Sequence, residues 1–437
     1  MLSALICART FRSPVSNGIV VETVKRTMPP LVTRSELPGK PLDMKQISVW
    51  SLIKHSIGKD LTHLVIPIEF NEPLSFLQRL ADYLENAYLI EQALNCGDAA
   101  DRMELIGVFA LSALDSLRLT KPFNPLLFET YELDRPELGF RFVAEQVSHH
   151  PPISAFHATA DDYEFYGTVA PALKFRGLYI GIRPQASFTL KLKSLNETYT
   201  WQASDCTIHN VFLGKMFMSL NGSLNIRCHE NGYSLNFDFH GPGKKNTPDP
   251  LVGEKLRAVY GSFAEYLASC DPKQFDDNFL EFKRAFRVQY NPDNYVEAVN
   301  ESVVVIDGSK LLWRAFPKPP KYNEFYKFTY FSMGLNAIDS AYESKLPGTD
   351  SRLRPDIRLM EQGDIESASD EKLRLEIQQR AENALRGKKK EQKRPRYFTA
   401  LLEKDEFGRD CQWKFDGKYW ERNFGSREEK LFERPSA

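Results

Sequence analysis

Residues 186–193 read Ala-Ser-Phe-Thr-Leu-Lys-Leu-Lys, and residues 233–240 read Tyr-Ser-Leu-Asn-Phe-Asp-Phe-His. In the first, Phe188, Leu190 and Leu192 alternate with Thr189, Lys191 and Lys193. In the second, Tyr233, Leu235, Phe237 and Phe239 alternate with Ser234, Asn236, Asp238 and His240. A period of two sorts side chains onto opposite faces of a β-strand, one apolar and one polar. The same period runs from about Phe140 to Phe239, and Asn221-Gly222 and Asn231-Gly232 supply the left-handed backbone that tight hairpins need. Many short, linked strands of this kind predict an antiparallel meander that closes into a barrel or packs as a sandwich. A large barrel encloses a ligand cavity, whereas a small one fills with its own side chains.

Outward from that region the period changes to a helical one. Between Ile47 and about Leu119, Pro73 precedes a stripe of Leu74, Leu77, Leu80, Tyr83, Leu84 and Tyr88, the spacing of a core-packed helix face. The longest apolar stretch, Leu105 to Leu114, is too short to span a bilayer and predicts a buried helix. Residues 1–46 read as a flexible arm, in which Ile19–Val24, followed by Lys25 and Arg26, forms either a short amphipathic element or part of a disordered tail. His240–Gly253 is a loop by its Gly and Pro content. The clearest helix starts at Ser369, Asp370 and Glu371, runs from Leu373 to Leu385, and closes at Gly387 with Lys388-Lys-Lys390; acidic start and basic end both suit the helix dipole.

Composition narrows the function classes. The 437 residues carry a net charge of −1, without the broad basic footprint of a nucleic-acid binder. Six scattered cysteines lack disulfide or zinc-ligand spacing and fit a reducing compartment. The N-terminus lacks the order of a signal peptide, so a cytoplasmic protein is expected. No GxSxG, GxxxxGK[ST] or HExxH pattern is present, so neither an enzyme nor a cofactor is expected. The adjacent His149 and His150 point oppositely in a strand, and His157 adds no ligand spacing, so no metal is expected either.

The stretch Glu145-Gln-Val-Ser-His-His-Pro-Pro152 stands apart. Its prolines stiffen the backbone, and its two imidazoles can donate to an anion or form a satisfied pair at a strand end. Lys372, Glu376 and Arg380 lie at four-residue steps on one helix face, as a solvated ion-pair ladder or an anion site.

The octapeptide EQVSHHPP resembles the fingerprint of the oxysterol-binding protein family. Lys121-Pro-Phe-Asn-Pro-Leu-Leu127 with Glu129-Thr-Tyr-Glu132 resembles that family's KPFNPLLGETYE, with Phe128 in place of the glycine. Thr349–Asp356, Glu371–Glu376, Tyr419–Glu421 and Phe70–Arg79 also resemble its blocks. The resemblance implies an α+β fold with a large antiparallel near-complete β-barrel, a lipid tunnel, an N-terminal lid and flanking helices. It implies an arm and lid over 1–46, a helical segment over 47–120, a barrel core over 121–300 and a C-terminal helical segment over 301–437. Residues 47–425 would then be a single lipid-binding domain.

By the same resemblance, Lys121, Asn124, His149, His150, Lys372, Glu376 and Arg380 grip a phosphoinositide headgroup. As the lid, Ile19, Val20, Val21 and Val24 would cover the tunnel mouth while Lys25 and Arg26 face lipid. The implied partners are a sterol, a phosphoinositide such as phosphatidylinositol 4-phosphate, and membrane surfaces touched transiently. No motif for an endoplasmic-reticulum receptor is evident. The implied function is exchange of the two lipids between membranes; the alternative is a lipid sensor acting as a scaffold. Two departures stand out: Phe128 alters a glycine turn, and a strand is missing between Phe239 and Leu256.

Overall fold

The computed structural model describes residues 9–16, 18–40, 68–175, 179–211, 216–239, 254–290, 301–389, 394–410, 412–424 and 431–433. Its strands are β1 (Arg9–Ser16), β2 (Ile19–Val24), β3 (Asn71–Ser75), β4 (Lys121–Phe123), β5 (Thr130–Arg135), β6 (Phe140–His149), β7 (Pro152–Thr159) and β8 (Tyr163–Ala170). They continue as β9 (Leu173–Phe175), β10 (Ile180–Ile182), β11 (Gln185–Leu192), β12 (Glu197–Gln202), β13 (Asp205–His209), β14 (Phe217–Asn221), β15 (Ser223–Cys228) and β16 (Ser234–Asp238). The last are β17 (Ala258–Ser262), β18 (Tyr266–Cys270), β19 (Ser302–Ile306), β20 (Lys310–Arg314), β21 (Phe398–Ala400) and β22 (Trp413–Phe415). The helices used below are α1 (Phe76–Leu80), α2 (Tyr88–Leu94), α3 (Ala99–Ser112), α4 (Pro272–Gln289), α5 (Pro355–Glu361) and α6 (Ile365–Lys389).

The alternating stretch forms an eight-stranded antiparallel sheet in the order β16-β15-β12-β11-β8-β7-β6-β5. A four-stranded sheet, β14-β13-β10-β9, continues from it. Arg183 N–H donates to Ala172 C=O at 2.8 Å and Ala203 N–H to Ala186 C=O at 3.1 Å, carrying the ladders across the junction. Pro171 and Pro184 interrupt the strands there, and Gly222 takes a positive φ of 73°. The two sheets are therefore segments of the same bent ribbons, since proline removes a ladder donor and glycine permits the turn.

Helix α3 packs on one face of this sheet. Asp98 caps its start, accepting from Ala100 N–H and Asp101 N–H, and Arg102 grips Glu197 of β12 through two bonds of 2.7 and 2.6 Å. Phe109 meets Phe165 edge-on at 5.4 Å, and Phe165 and Phe188 each stack on Trp201 at 5.7 Å. Such aromatic pairs add specificity to the burial. Gly107 lets the helix approach β16: a Cβ there would lie 2.1 Å from Leu235 Cδ2.

The N-terminal segment corrects the sequence reading. Residues 9–16 and 19–24 are strands rather than a flexible arm: β2 is the central strand of a sheet ordered β1-β2-β19. Ile19, Val20 and Val24 are buried in a satellite core with Tyr260, Tyr266, Phe282 and Val303–Ile306, covered by α4. Their side chains fill that core. Arg26 pairs with Glu265 and donates to the carbonyls of Ala315 and Phe316. Lys25 alone of this group is exposed. The C-terminal part, expected to be helical, begins with β19 and β20. The expected gap before Leu256 falls mostly outside the described residues; among those described, β16 and β17 share no ladder.

Candidate functional site: a basic cup beside the octapeptide

The octapeptide divides into an anchored half and a projecting half. Glu145 is fully buried and accepts the backbone N–H groups of Arg396 and Tyr397 at 2.8 and 3.0 Å. Burial pushes its carboxyl up to about 7, those donors opposing. Gln146 accepts from Ser154 Oγ and donates to Ser148 C=O. Both side chains are therefore structural. His149, half-buried at the end of β6, and the exposed His150 stand edge to face with ring centroids 4.6 Å apart.

Lys121 opens β4, which pairs in parallel with β3. The turn after it winds around the buried Glu129. That carboxylate accepts from Leu126 N–H at 2.8 Å, Ser75 Oγ at 2.5 Å, Ser351 Oγ at 2.6 Å and Arg354 Nη1 at 2.7 Å. Arg354 also donates to the Asn124 carbonyl at 2.9 Å and is held by Asp356 at 2.6 Å. Phe128 keeps the turn that glycine would make, at φ 71°. Asn124 is exposed at the head of this turn, with its carbonyl rather than its side chain engaged by Arg354.

Helix α6 supplies the third wall. Asp364 caps it, accepting from Ser367 N–H at 3.1 Å, so it begins four residues before the acidic start read from sequence and runs through Gly387. Glu376 pairs with Lys372 at 3.5 Å and Arg380 at 3.2 Å. The three segments share one electrostatic neighbourhood. Burial, then the Lys372 ammonium, lowers the Lys121 ammonium, with Glu376 opposing. Burial, then His150, holds His149 below its ordinary value, again with Glu376 opposing. Lys121, His149, His150, Lys372, Glu376 and Arg380 thus converge from β4, the β6–β7 turn and α6. Three permanent cations against one carboxylate leave a local excess of positive charge suited to a phosphate oxyanion.

The structure adds residues that pattern reading missed. Cross-strand neighbours in the four-stranded sheet share a face: Leu173, Ile182, Cys206 and Leu220 form one row, and Ile180, Ile208 and Met218 a second. The alternate face carries Thr207, His209, Ser219 and Asn221. Of the apolar rows only Cys206 is buried; Leu173 is 55% exposed and the rest are half-buried. The signal was present in the alternation Asp205-Cys-Thr-Ile-His209. Cys206 lies within electrostatic range of Arg79 in α1. Among the described residues no group of three or more His, Cys, Asp or Glu could hold a metal ion. Among them, too, no helix is long and apolar enough to cross a membrane.

The family model for oxysterol-binding protein matches residues 48–424. Human oxysterol-binding protein-related protein 1 is 41% identical over 412 residues, covering 90% of this chain and 43% of the relative, so the chain spans less than half of that protein's length. Human oxysterol-binding protein-related protein 2 is 39% identical over 415 residues, covering 90% and 86%. Among solved structures, the ORD of Osh3 from Saccharomyces cerevisiae in complex with PI(4)P is similar at a TM-score of 0.68 and 30% identity, covering 90% of this chain and 96% of that one. The Osh1 ORD domain in complex with cholesterol is similar at 0.72 and 30% identity, covering 91% and 92%.

Proposed function

The chain belongs to the oxysterol-binding protein family, and on that premise we propose that it binds a phosphoinositide and a sterol in turn and exchanges them between membranes. In this reading the bent ribbons, closed by the segments around them, form a near-complete barrel around a lipid tunnel. The observation that carries the reading is the convergence of Lys121, His149, Lys372 and Arg380 around Glu376. The half-buried residues Ile182 and Leu220 of one row and Ile180, Ile208 and Met218 of the other offer apolar wall for acyl chains or a sterol ring.

The physical need for such a wall is large. Exposing a lipid to water costs about 0.8 kcal/mol per CH₂, so a chain of about 16 carbons faces roughly 13 kcal/mol. A cavity removes that cost, and two lipids competing for it leave and enter in exchange. The chemistry needs binding alone, so the protein acts without making or breaking a covalent bond. Its contact with membranes is peripheral and transient.

The test is transfer between liposomes, with a phosphoinositide on one population and a sterol on the other. Lys372→Ala/Arg380→Ala removes two ion pairs of the exposed helix ladder, each worth about 0.2–0.5 kcal/mol, so the variant should melt almost normally. Losing charge-assisted phosphate contacts costs about 1.5–3 kcal/mol each. Phosphoinositide binding should therefore fall at least about tenfold, and exchange with it, while passive sterol shuttling continues. Binding without transfer in the wild type would instead identify a sensor.

A further inference from the structure

Helix α6 has a third side that neither the core nor the cup uses. Its inward side is anchored: Ala368 and Leu375 are buried, and Arg374 donates to the Phe432 carbonyl at 2.9 Å. The Lys372–Glu376–Arg380 ladder runs along the border of that side. Beyond the border, Leu373 and Ile377 are each 54% exposed and Leu385 is 57% exposed, with exposed Ala381 and Ala384 between them. These positions follow i, i+4, i+8, i+11 and i+12, a single outward stripe. Lone exposed leucines are ordinary. A run of large aliphatic residues on the water side of an otherwise polar helix marks a surface that something apolar covers.

We propose that the stripe Leu373–Ile377–Leu385 is the surface by which this protein seats on a lipid bilayer, with the cup held at headgroup level. The proposal rests on the phosphoinositide reading of the cup. A headgroup entering the cup comes from a bilayer in contact with the cup's rim, and this stripe is the rim on the α6 side. Charge agrees: Arg380, its side chain 72% exposed, and Lys372 flank the stripe, as cations flank the apolar face of interfacial helices. The acidic Glu366 and Asp370, exposed at the helix start, limit the seat to the part from Leu373 onward. Leu373 and Ile377 enter the interface while the neighbouring ladder meets phosphates, so docking and headgroup capture use adjacent stripes of one helix.

The experiment compares wild-type chain with Leu373→Ser/Ile377→Ser in vesicle flotation. The vesicles are phosphatidylcholine with about one-fifth phosphatidylserine, free of phosphoinositide and sterol, so that docking is read without lipid capture. The variant should partition about tenfold more weakly and keep its affinity for a soluble short-chain phosphatidylinositol 4-phosphate. Leu373→Ile/Ile377→Leu, which conserves apolar surface, should partition like the wild type. Equal partitioning of the wild type and the serine variant overturns the proposal, as does a conservative variant as weak as the serine one. If Lys372→Ala/Arg380→Ala leaves short-chain binding unchanged, the cup reading falls, and the proposal built on it falls with it even where flotation depends on Leu373 and Ile377.

Discussion

Phe128 offers a test in which the order of two substitutions decides the argument. It occupies a left-handed backbone at φ 71° and is 3% exposed. Its N–H donates to Gln146 C=O at 3.0 Å, and Glu129 N–H closes the turn on Leu126 C=O at 2.9 Å. A side chain in that conformation costs about 1–2 kcal/mol, which burying the ring offsets by about 1.5–3 kcal/mol. Phe128→Ala keeps the backbone strain and loses the packing, so it should destabilise by about 3–5 kcal/mol. Phe128→Gly loses the same packing but relieves the strain. Against that stands the greater freedom of glycine in the unfolded chain, about 0.4–1 kcal/mol. The glycine variant should therefore be more stable than the alanine variant by about 1 kcal/mol, which is about 1 °C in melting temperature for a chain of this size. At an ordinary strand or helix position the order is the reverse. Side-by-side thermal and urea unfolding of the two variants gives the answer. An alanine variant equal to or more stable than the glycine one would refute the reasoning, because the turn would then not depend on left-handed backbone.

Two further outcomes follow from the same structure. Because burial and His150 hold ligand-free His149 below its ordinary value, an arriving phosphate dianion must raise it, and binding takes up a proton between the free and bound values. Affinity for a short-chain phosphoinositide should accordingly rise as pH falls and keep rising somewhat below 6.5, until protonation of the phosphate itself near 6 opposes it; His149→Gln should flatten that slope, and a slope unchanged in the variant would remove His149 from the cup. Deleting residues 1–26 should unfold the satellite core rather than merely uncover a tunnel. Ile19, Val20 and Val24 are at most 7% exposed and together contribute about 5 kcal/mol or more, so proteolysis should open residues 254–314, whereas a fully protease-resistant truncation would restore the lid role of the arm.

The strands were legible because apolar and polar side chains alternate locally in Phe188–Leu192 and Ser234–Phe239, although β11 turns out to be buried on both faces over Ala186–Leu190. The satellite sheet was not. Ile19–Val24 pairs with Ser302–Ile306, and nothing in a six-residue stretch with four apolar residues says that its partner lies so far along the chain. Read alone, it looks like an amphipathic arm. The helix α6 boundaries were displaced because the cap is Asp364 rather than the acidic cluster that follows it. For the cup, spacing placed Lys372, Glu376 and Arg380 on one helix face, but only the family resemblance joined them to Lys121 and the histidines. The ions around Glu129 carry no spacing at all: its partner Arg354 stands 225 residues away. That contact is visible only after the chain has folded.

That distant network explains why the exposed cup can hold its shape. Glu129 takes four donors from three separate segments and is fully buried. Arg354 in turn ties the Asn124 carbonyl to α5 through Asp356. Breaking such a buried pair on one side costs about 3–5 kcal/mol, whereas exposed ladder positions such as Arg380 shift stability by less than about 0.5 kcal/mol. The geometry of the Lys121 turn is therefore set by groups that never meet solvent, and the ligand-facing charges are left nearly free of structural duty. Cations that are not needed to hold the fold can remain uncompensated. An ammonium disfavoured by burial and by the neighbouring Lys372, as Lys121 is, and an imidazole that burial and His150 keep from protonating, as His149 is, are both states that an incoming phosphate would relieve.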